Sequence, residues 1–174
     1  MERRVALAGS SGLIGTAVSR ALTRRGDTVL PLVRGDSARG LPWDPARGEV
    51  PDLAGFDAVI VLNGSPLAGH RWTGAVKQAL RDSRIESAAA LAEAAARDGV
   101  PVFLGASAIG VYGDAGETEC LDGTGGTPPG SGFLASLCVE WEAAAAPARA
   151  GGVTVAHLRF GHVLSAAGGL LPVL

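Results

Sequence analysis

Short apolar runs along the chain alternate with segments in which apolar residues recur at helical spacing. The first run, residues 5–8, is typical of a strand that is buried on both faces. An amphipathic segment follows, which Gly26 ends, and a second apolar run covers residues 28–33. The apolar residues of the amphipathic segment share one helical face: Leu13, Ile14, Ala17, Val18, Ala21 and Leu22. This pattern predicts a strand–helix–strand unit.

The same alternation continues along the rest of the chain. Further strands are predicted at residues 57–62, 100–107 and 153–160. Further helices are predicted at residues 74–80, 83–97 and 131–146. Thr73 is the predicted N-cap of the first of these helices, Gly99 ends the second, and Pro147 with the following glycines ends the third. Residues 114–130 and 161–174 are predicted as loops.

The buried faces of the two longer helices can also be predicted. For residues 83–97 the buried residues are Ile85, Ala88, Ala89, Ala92, Ala95 and Ala96. For residues 131–146 they are Phe133, Leu134, Leu137, Cys138 and Trp141. Strands that alternate with helices predict an α/β fold, a Rossmann-type doubly wound parallel sheet, with residues 1–174 as one domain.

Three glycines mark the first strand-to-helix turn. Glycine lets the backbone bend sharply and approach a ligand, and the first N–H groups of a helix attract a diphosphate. The turn lies after a strand and opens a helix, which is the context of a dinucleotide-binding turn. The alternative is a structural turn without a ligand. The cofactor-binding residues predicted here are Gly9, Ser11, Gly12, Leu13, Ile14 and Gly15.

The end of the second predicted strand refines the choice of dinucleotide. An NAD site usually has an acidic residue there, whereas this chain has Val33 followed by Arg34. A guanidinium suits a 2′-phosphate, so NADP is favoured over NAD. The alternatives are that Arg34 is a solvated loop residue and that Asp36 serves the ribose.

Loops at the carboxyl ends of the other strands are candidate walls of the same crevice. Leu62, Asn63 and Gly64 follow the third strand, although an Asn-Gly pair is also ordinary turn chemistry. Trp43 could lie under an adenine ring or fill a gap under its loop. Arg84 could reach a phosphate or be an exposed helix residue.

Composition excludes several classes of function. Of 174 residues, 47% are hydrophobic and 18% charged, which is typical of a folded domain, and a net charge of −2 without a basic stripe argues against nucleic acid. No signal-peptide pattern or membrane-spanning run is present, so we expect a cytoplasmic protein without a membrane partner. Cys120 and Cys138 fit no metal or redox spacing, and no metal site is expected.

Several short motifs together resemble the extended and atypical short-chain dehydrogenase/reductase superfamily. The chain is similar in particular to epimerase-family proteins known as nucleoside-diphosphate-sugar epimerases or as cell-division-inhibitor-like. The motifs are the glycine turn, Trp43-Asp44-Pro45, Arg71-Trp72-Thr73, Asp82-Ser83-Arg84, Ser107 through Asp114, Gly132-Phe133-Leu134-Ala135, Trp141-Glu142-Ala143-Ala144 and Leu158-Arg159-Phe160-Gly161. The resemblance implies NADP held by the glycine turn, Arg34, the Leu62–Asn63 loop, Arg84 and the loop around Val163. It also implies a C-terminal substrate domain, and we expect that this chain ends before it.

The catalytic pattern of that superfamily is incomplete in this chain. Typical members use a Tyr-x-x-x-Lys pair, in which the lysine lowers the tyrosine pKa, and a Ser or Thr after the preceding strand. Phe133 and Leu137 occupy the matching positions of the pair, while Ser107 occupies the Ser/Thr position. Tyr112, the only tyrosine, could act as the acid or be a packing residue. Ser107 and Tyr112 are therefore the candidate catalytic residues.

Two functions follow from these observations, and a third outcome stays open. The first is an NADP-dependent oxidoreductase or nucleotide-sugar epimerase with unusual catalytic residues; the second is a non-catalytic NADP-binding sensor or regulatory module. In the third, the chain alone neither binds nor catalyses, and the apolar residues 170–174 are exposed. The expected partners are the dinucleotide, a nucleotide-sugar substrate and a second copy of the chain, although no particular residue indicates the last two.

Overall fold

The computed structural model describes residues 2–35, 40–67, 69, 71–121 and 126–169. Within these ranges, one sheet contains the strands β1 (Arg4–Ala8), β2 (Thr28–Val33), β3 (Leu41–Pro42), β4 (Ala58–Val61), β5 (Val102–Ala108) and β6 (Thr154–Phe160). The α-helices are α1 (Leu13–Arg24), α2 (Gly74–Arg97), α3 (Phe133–Ala143) and α4 (Ala146–Ala150). Two short strands, β7 (Leu164–Ser165) and β8 (Gly168–Gly169), form an antiparallel pair.

The strand order of the sheet creates a crevice next to β1. The order is β3-β2-β1-β4-β5-β6, and all neighbouring strands are parallel. Ala8, the last residue of β1, pairs with Leu32 on one side and with Val61 on the other. The chain reverses its direction across the sheet between β1 and β4, and a doubly wound sheet binds ligands at such a switch point.

Alternate residues of β1 contribute to cores on opposite faces of the sheet. Ala6 and Ala8 belong to the larger core, which includes residues of α2 and α4. Val5 and Leu7 belong to a second core, against which α1 packs. Helices therefore cover both faces of the central strands, and the predicted doubly wound α/β fold is confirmed.

The region predicted as two helices between residues 74 and 97 is one continuous helix, α2, so the predicted break was wrong. Thr73 is its N-cap, as predicted, and its hydroxyl accepts a hydrogen bond from the N–H of Val76 at 3.3 Å. Ser83, where the second helix was predicted to begin, lies inside α2 and makes one contact within the helix and one outside it. The hydroxyl of Ser83 donates to the carbonyl of Leu80 at 3.2 Å and accepts from the N–H of Ser65 at 3.0 Å.

The buried face of α2 also differs from the prediction. Ala88, Ala92 and Ala95 are buried as expected. Ile85, Ala89 and Ala96 are only partly buried. The buried residues that the pattern missed are Leu80, Arg84, Ser87, Leu91 and Ala94. The face is rotated because the helix also packs against α3 and α4, which a single-helix pattern does not reveal.

The end of the chain contains more regular structure than predicted. Pro147 lies in the first turn of α4 rather than ending the preceding helix, because a proline at that position loses no hydrogen bond that the helix needs. Part of the predicted loop 161–174 forms the β7–β8 pair, while residues 170–174 lie outside the described residues. No helix in the described ranges combines the length and apolar character that crossing a bilayer requires.

Candidate functional site: two adjoining cavities at the carboxyl ends of the strands

A cavity of about 530 Å³, here called the polar cavity, opens at the switch point beside β1. The glycine turn forms one wall, and the ends of β2 and β4 form the others. The lining residues are Gly9, Ser10, Ser11, Gly12, Leu32, Val33, Arg34, Trp43, Leu62, Asn63, Gly64 and Ser65. Eight of the predicted cofactor-binding residues thus meet at one place, namely Gly9, Ser11, Gly12, Val33, Arg34, Leu62, Asn63 and Gly64.

The glycine turn is held against its neighbours at atomic contact distance. A Cβ atom on Gly9, whose φ is +80°, would lie 2.7 Å from the backbone nitrogen of Asn63. A Cβ atom on Gly15 would lie 2.1 Å from the carbonyl oxygen of Gly9. The hydroxyl of Thr16, which the sequence reasoning missed, donates to the carbonyl of Ser10 at 3.2 Å. These contacts fix the turn at the beginning of α1.

Gly12 is the N-cap of α1 and offers the helix no capping side chain. Its N–H donates to the carbonyl of Gly9 at 3.1 Å, which closes the turn. The first N–H groups of an α-helix have no partner within the helix and carry partial positive charge. Because the turn lines the polar cavity, that end of α1 is suited to a negatively charged group.

Arg34 and Trp43 lie on the side of the polar cavity formed by β2 and β3. Arg34 is exposed. Trp43 is 4% exposed and belongs to the larger core, so it fills a gap in the packing. The same side chain also forms part of the wall of the polar cavity. Asp36, the alternative ribose-binding residue, lies outside the described residues.

Asn63 presents a fixed amide at the end of β4. Its Nδ2 group donates to the hydroxyl of Ser87 at 2.8 Å and to the carbonyl of Ser83 at 3.3 Å. Its Oδ1 atom is buried and has no hydrogen-bond partner in the described part of the chain. An unpaired buried acceptor is costly, and here it lies in a residue that lines the polar cavity.

A second cavity of about 450 Å³, here called the apolar cavity, adjoins the first one, and Leu62 lines both. It lies between the ends of β5 and β6 and the helices α2 and α3. Its wall consists of Ile14, Leu62, Leu67, Arg84, Ala106, Ser107, Ala108, Ile109, Gly110, Leu134, Leu137, Cys138, Trp141, Phe160, Gly161 and His162. Four predicted site residues lie in this wall: Ile14, Leu62, Arg84 and Ser107.

The two candidate catalytic residues are linked by a chain of hydrogen bonds. The hydroxyl of Ser107 donates to Oε1 of Glu142 at 2.6 Å. Arg159 donates to both carboxylate oxygens of Glu142, at 2.8 and 2.9 Å, and to the hydroxyl of Tyr112 at 2.9 Å. Ser107 lines the apolar cavity, whereas Tyr112 is not among the lining residues of either cavity in the described ranges.

Glu142 and Arg159 are site residues that the sequence reasoning did not assign. Both occur in motifs that carry the family resemblance, but nothing in the sequence indicates that they meet. Burial of Glu142 opposes its ionisation, yet hydrogen bonds from Arg159 and Ser107 outweigh burial and hold the pKa of this carboxyl below its ordinary value. The carboxylate is therefore charged at neutral pH and keeps the Arg159 guanidinium in place.

Arg84 is buried, contrary to the alternative that it is an exposed helix residue. Only 8% of it is exposed, and it lines the apolar cavity. Its guanidinium donates to the carbonyls of Ser65 at 2.9 Å and Leu80 at 3.1 Å, and its Cζ lies 5.3 Å from the ring centroid of Trp141. Burial lowers the pKa of the Arg84 guanidinium below its ordinary value.

Three predicted residues support the two cavities without lining either of them in the described ranges: Leu13, Gly15 and Val163. Gly15 packs on Gly9, as described above. A Cβ atom on Gly169 would lie 3.3 Å from the Leu13 side chain and 2.3 Å from the Val163 carbonyl oxygen. The β7–β8 pair therefore brings Leu13 and Val163 close together at the beginning of α1.

Phe133 and Leu137, which replace the Tyr-x-x-x-Lys pair, both lie on α3. Leu137 is 2% exposed and lines the apolar cavity. Phe133 packs edge-on against Trp72, with the ring centroids 5.6 Å apart. In the described part of the chain, no group of three or more His, Cys, Asp or Glu side chains could hold a metal ion.

Comparison with known proteins gives consistent results. The sequence model of the NAD dependent epimerase/dehydratase family matches residues 5–170. An epimerase family protein of Mycobacterium bovis is 46% identical over 171 residues, which are 96% of this chain and 56% of that protein. An epimerase family protein of Mycobacterium leprae is 42% identical over 171 residues, which are 96% of this chain and 55% of that protein. The chain thus spans about half the length of these relatives.

Solved structures support the same assignment. The nucleoside-diphosphate sugar epimerase of Corynebacterium glutamicum superposes with a TM-score of 0.83 at 35% identity, covering 99% of this chain and 37% of that chain. The human epimerase family protein SDR39U1, solved with NADPH, superposes with a TM-score of 0.79 at 25% identity, covering 97% of this chain and 57% of that chain. The glycine turn, the parallel sheet and these matches together show that the chain belongs to the NAD-dependent epimerase/dehydratase family.

Proposed function

We propose that this chain is the NADP(H)-binding part of an oxidoreductase or epimerase. The observation that carries the proposal is the polar cavity, in which the uncapped beginning of α1 lies opposite the exposed Arg34. The human relative was solved with NADPH, which supports the same choice of cofactor.

The residues around the polar cavity fit a dinucleotide. Gly12 has no Cβ in the space where a diphosphate would approach the first N–H groups of α1. The unpaired Oδ1 of Asn63 offers an acceptor to a ligand donor. The proposed binding residues are Gly9, Ser11, Gly12, Ile14, Val33, Arg34, Leu62, Asn63 and Gly64, with Leu13, Gly15 and Val163 in support. Arg84 stays a proposed binding residue as well, because its guanidinium contacts Gly64 and donates to the carbonyl of Ser65, and both of these residues line the polar cavity.

The bound nicotinamide would supply hydride transfer, and the chain's own residues would orient it. In this proposal the diphosphate lies at the glycine turn, so the nicotinamide end points past Ile14 and Leu62 towards the apolar cavity, because both residues line that cavity. Because Ser107 donates its one hydroxyl proton to Glu142, its oxygen would be left as an acceptor for the N–H groups of the nicotinamide amide. Tyr112 stays a proposed proton donor, positioned by Arg159.

The choice of NADP over NAD can be tested at Arg34. Replacing Arg34 with Met should weaken NADPH binding by about 10- to 100-fold, because a charge-assisted contact to the 2′-phosphate is lost, and should leave NADH binding unchanged. Both affinities can be measured by isothermal titration calorimetry. The control is Arg20→Met, an exposed arginine on α1 away from both cavities. If Arg34→Met weakens NADPH and NADH binding equally, or weakens neither, Arg34 does not contact the 2′-phosphate as proposed.

A non-catalytic NADP-binding module is the second candidate function. It is favoured by Phe133 and Leu137, because neither side chain can donate a proton and Leu137 is buried in the cavity wall. The two functions differ in what happens to added UDP-glucose and to NADP(H). An oxidoreductase changes the redox state of NADP(H), whereas an epimerase converts UDP-glucose into an isomer and returns the cofactor to its starting state, so both the cofactor absorbance and the sugar products are measured. A sensor binds NADP(H) and changes neither the cofactor nor the sugar.

A further inference from the structure

A third cavity of about 290 Å³, here called the aromatic cavity, opens between the beginning of α3 and the loop that follows β5. It is lined by Trp72, Gly110, Gly113, Asp114, Ser131, Phe133, Leu134 and Ala135. Gly110 and Leu134 also line the apolar cavity, so the two cavities adjoin. The aromatic cavity therefore continues the space in which the nicotinamide is proposed to lie.

The rings of Trp72 and Phe133 form part of the wall of the aromatic cavity and are fixed in place. They pack edge to face, with the centroids 5.6 Å apart and the planes at 69°. The indole N–H of Trp72 donates to the carbonyl of Leu67 at 3.0 Å, which holds the orientation of the indole. Nζ of Lys77 and Cζ of Arg81 lie 5.2 and 5.4 Å from the centroid of the Phe133 ring. Trp72 is still 39% exposed, so its ring has surface left for a ligand.

On another side, the aromatic cavity is closed by backbone atoms. Gly113 has a φ of +65°, and a Cβ atom on it would lie 3.1 Å from both the nitrogen and the oxygen of the Ser131 backbone. A Cβ atom on Gly130 would lie 2.1 Å from the carbonyl oxygen of Tyr112. The loops after β5 and before α3 thus pack backbone against backbone. A flat ring can approach such a wall closely, because no bulky side chain stands in the way.

The charge of the aromatic cavity favours a neutral ligand. Asp114 is the one charged residue in its wall within the described ranges. Lys77 and Arg81 contact the Phe133 ring but do not line the cavity. A diphosphate would therefore meet a carboxylate without a cation in the same wall, and like charges repel. A neutral ring meets the apolar surfaces of Trp72 and Phe133 instead.

Exposed apolar side chains surround the opening shared by the two adjoining cavities. Trp72 and Leu134 are exposed and line the aromatic cavity. Leu67 and Ile109 are exposed and line the apolar cavity next to it. Exposed apolar surface that gathers around a cavity is typical of a binding site for an apolar ligand.

We propose that the aromatic cavity binds an aromatic ring of the substrate, packed against Trp72 and Phe133. The inference rests on the proposed function, because the bound ring holds the reacting carbon of the substrate towards a nicotinamide in the apolar cavity. Such a ring can belong to an aryl ketone or alcohol, or it can be the base of a nucleotide sugar. The aryl compound is favoured, because a nucleotide sugar brings a diphosphate to a wall that contains Asp114 and apolar side chains.

Acetophenone and cyclohexyl methyl ketone test the proposal, because they share a carbonyl group and a similar size and differ in aromaticity. Each is titrated into the ¹⁵N-labelled chain, with and without saturating NADP⁺, while the indole N–H resonances of the three tryptophans are followed. Acetophenone should shift the resonance of Trp72 and bind about 3- to 10-fold more tightly, because aromatic pairs gain more than the burial of equal area. Equal affinities, binding of neither ketone, or shifts confined to Trp43 and Trp141 would overturn the proposal.

UDP-glucose decides where the ring comes from. At equal concentration it should shift the Trp72 resonance less than acetophenone does. If UDP-glucose binds more tightly than acetophenone and shifts the same resonance, the aromatic cavity is a base site for a nucleotide sugar and the preference for an aryl compound is wrong.

Two variants of Trp72 locate the ring. Trp72→Leu should remove the preference for acetophenone, because leucine is apolar but has no ring, whereas Trp72→Phe should retain most of it. The matched control is Val139→Ala, since Val139 is an exposed apolar residue of α3 that lines none of the three cavities in the described ranges. All three variants should bind NADPH within about twofold of the wild type, which also shows that they fold.

The outcomes separate this inference from the proposed function. If Trp72→Leu binds NADPH normally and keeps the preference for acetophenone, the ring does not bind at Trp72 and the inference is wrong. If the wild-type chain shows the preference but binds no NADP(H), the proposed function fails and the ring site stands. If it binds NADPH but neither ketone, the proposed function stands and the ring site fails.

Discussion

Gly12 and Gly15 are three residues apart in the same turn, yet their missing side chains serve different purposes. A Cβ on Gly15 would lie 2.1 Å from the carbonyl oxygen of Gly9, so the position is closed by backbone. A Cβ on Gly12 would meet only that same oxygen, at the permitted distance of 3.4 Å. Gly12 also has an ordinary φ of −73°. The space beside Gly12 is therefore open to a ligand, whereas the space beside Gly15 is filled by backbone atoms.

Alanine substitutions at the two glycines should separate binding from folding. Gly12→Ala should change the free energy of unfolding by no more than about 1 kcal/mol and weaken NADPH binding about 10-fold or more, because the methyl group blocks the diphosphate. Gly15→Ala should destabilise the fold by about 1–3 kcal/mol, since the turn must move to relieve the collision. Urea unfolding and calorimetric titration measure the two quantities. A Gly12→Ala variant that binds NADPH as the wild type does would contradict the proposed position of the diphosphate.

At the residue scale, local geometry could be predicted and long-range contacts could not. The glycine turn is encoded within seven residues after a strand, so its place in the polar cavity followed from the sequence. Arg84 looked equally compatible with solvent, because its burial depends on the Gly64 loop and on Trp141 from α3. The contact of Arg159 with Tyr112 joins residues 47 positions apart, and no local pattern indicates it.

Glu142 connects three elements of the fold. It lies on α3 and receives hydrogen bonds from Ser107 on β5 and from Arg159 on β6. The side chains of Arg159 and Glu142 are 25% and 17% exposed, so this bidentate pair is partly shielded from water. Such pairs contribute more than surface ion pairs, and removing one partner leaves the other charge unsatisfied.

Replacing Glu142 with Gln should lower the free energy of unfolding by about 1–3 kcal/mol at neutral pH. In the folded protein the pKa of Glu142 is held below its ordinary value of 4.5, so the carboxylate stabilises the fold fully above pH 4.5. This stabilisation is lost as the pH falls through the lower pKa of the folded state. The stability difference between wild type and Glu142→Gln should therefore shrink below about pH 4.5. Urea unfolding over a range of pH measures this.

The matched control is Glu140→Gln on the same helix. Glu140 pairs with Arg81, but these side chains are 41% and 29% exposed, so the loss should be at most about 1 kcal/mol. If Glu142→Gln costs no more than Glu140→Gln, the chain of hydrogen bonds from Ser107 to Tyr112 does not stabilise the site as described.

At the element scale, the longer strands and the alternation of strands with helices could be predicted from the sequence. The exact ends of the helices and the shortest strands could not. The apolar runs of β1, β2, β4, β5 and β6 are strong signals because these strands are buried. The strand β3 has two residues, one of them a proline, and is recognisable only by its pairing of Leu41 with Leu32. Pro147 was expected to end a helix, but the same residue also suits a helix beginning, and only the packing around it decides which occurs.

At the scale of the whole molecule, the two cavities adjoin each other and differ in chemistry. The polar cavity presents backbone N–H groups and Arg34, while the apolar cavity presents hydrocarbon walls and Arg84. Both lie at the carboxyl ends of the strands, and Leu62 at the end of β4 separates them. The fold class could be predicted because it follows from the alternation of elements, but the division into two cavities depends on how α2 and α3 approach the sheet.

NADPH should stabilise the chain against heat, because a ligand that binds only the folded state shifts the unfolding equilibrium. At 100 times its dissociation constant the gain is about 2.7 kcal/mol, which corresponds to a rise in Tm of about 5–10 °C for a chain of this size. Scanning calorimetry measures the rise, and Gly12→Ala should show a smaller one at the same NADPH concentration. An unchanged Tm for the wild type at NADPH concentrations up to the millimolar range would argue against a preformed cofactor site.

The central claim is that the beginning of α1 binds the diphosphate of a pyridine dinucleotide, and its amide resonances report on this directly. In a ¹⁵N-labelled chain titrated with NADPH, the largest shifts should occur at the backbone N–H groups of Ser11, Gly12, Leu13 and Ile14, with smaller shifts at Arg34 and Asn63. Saturation with NADPH that leaves these amides unchanged, or that shifts only residues of α3 and β6, would contradict the account.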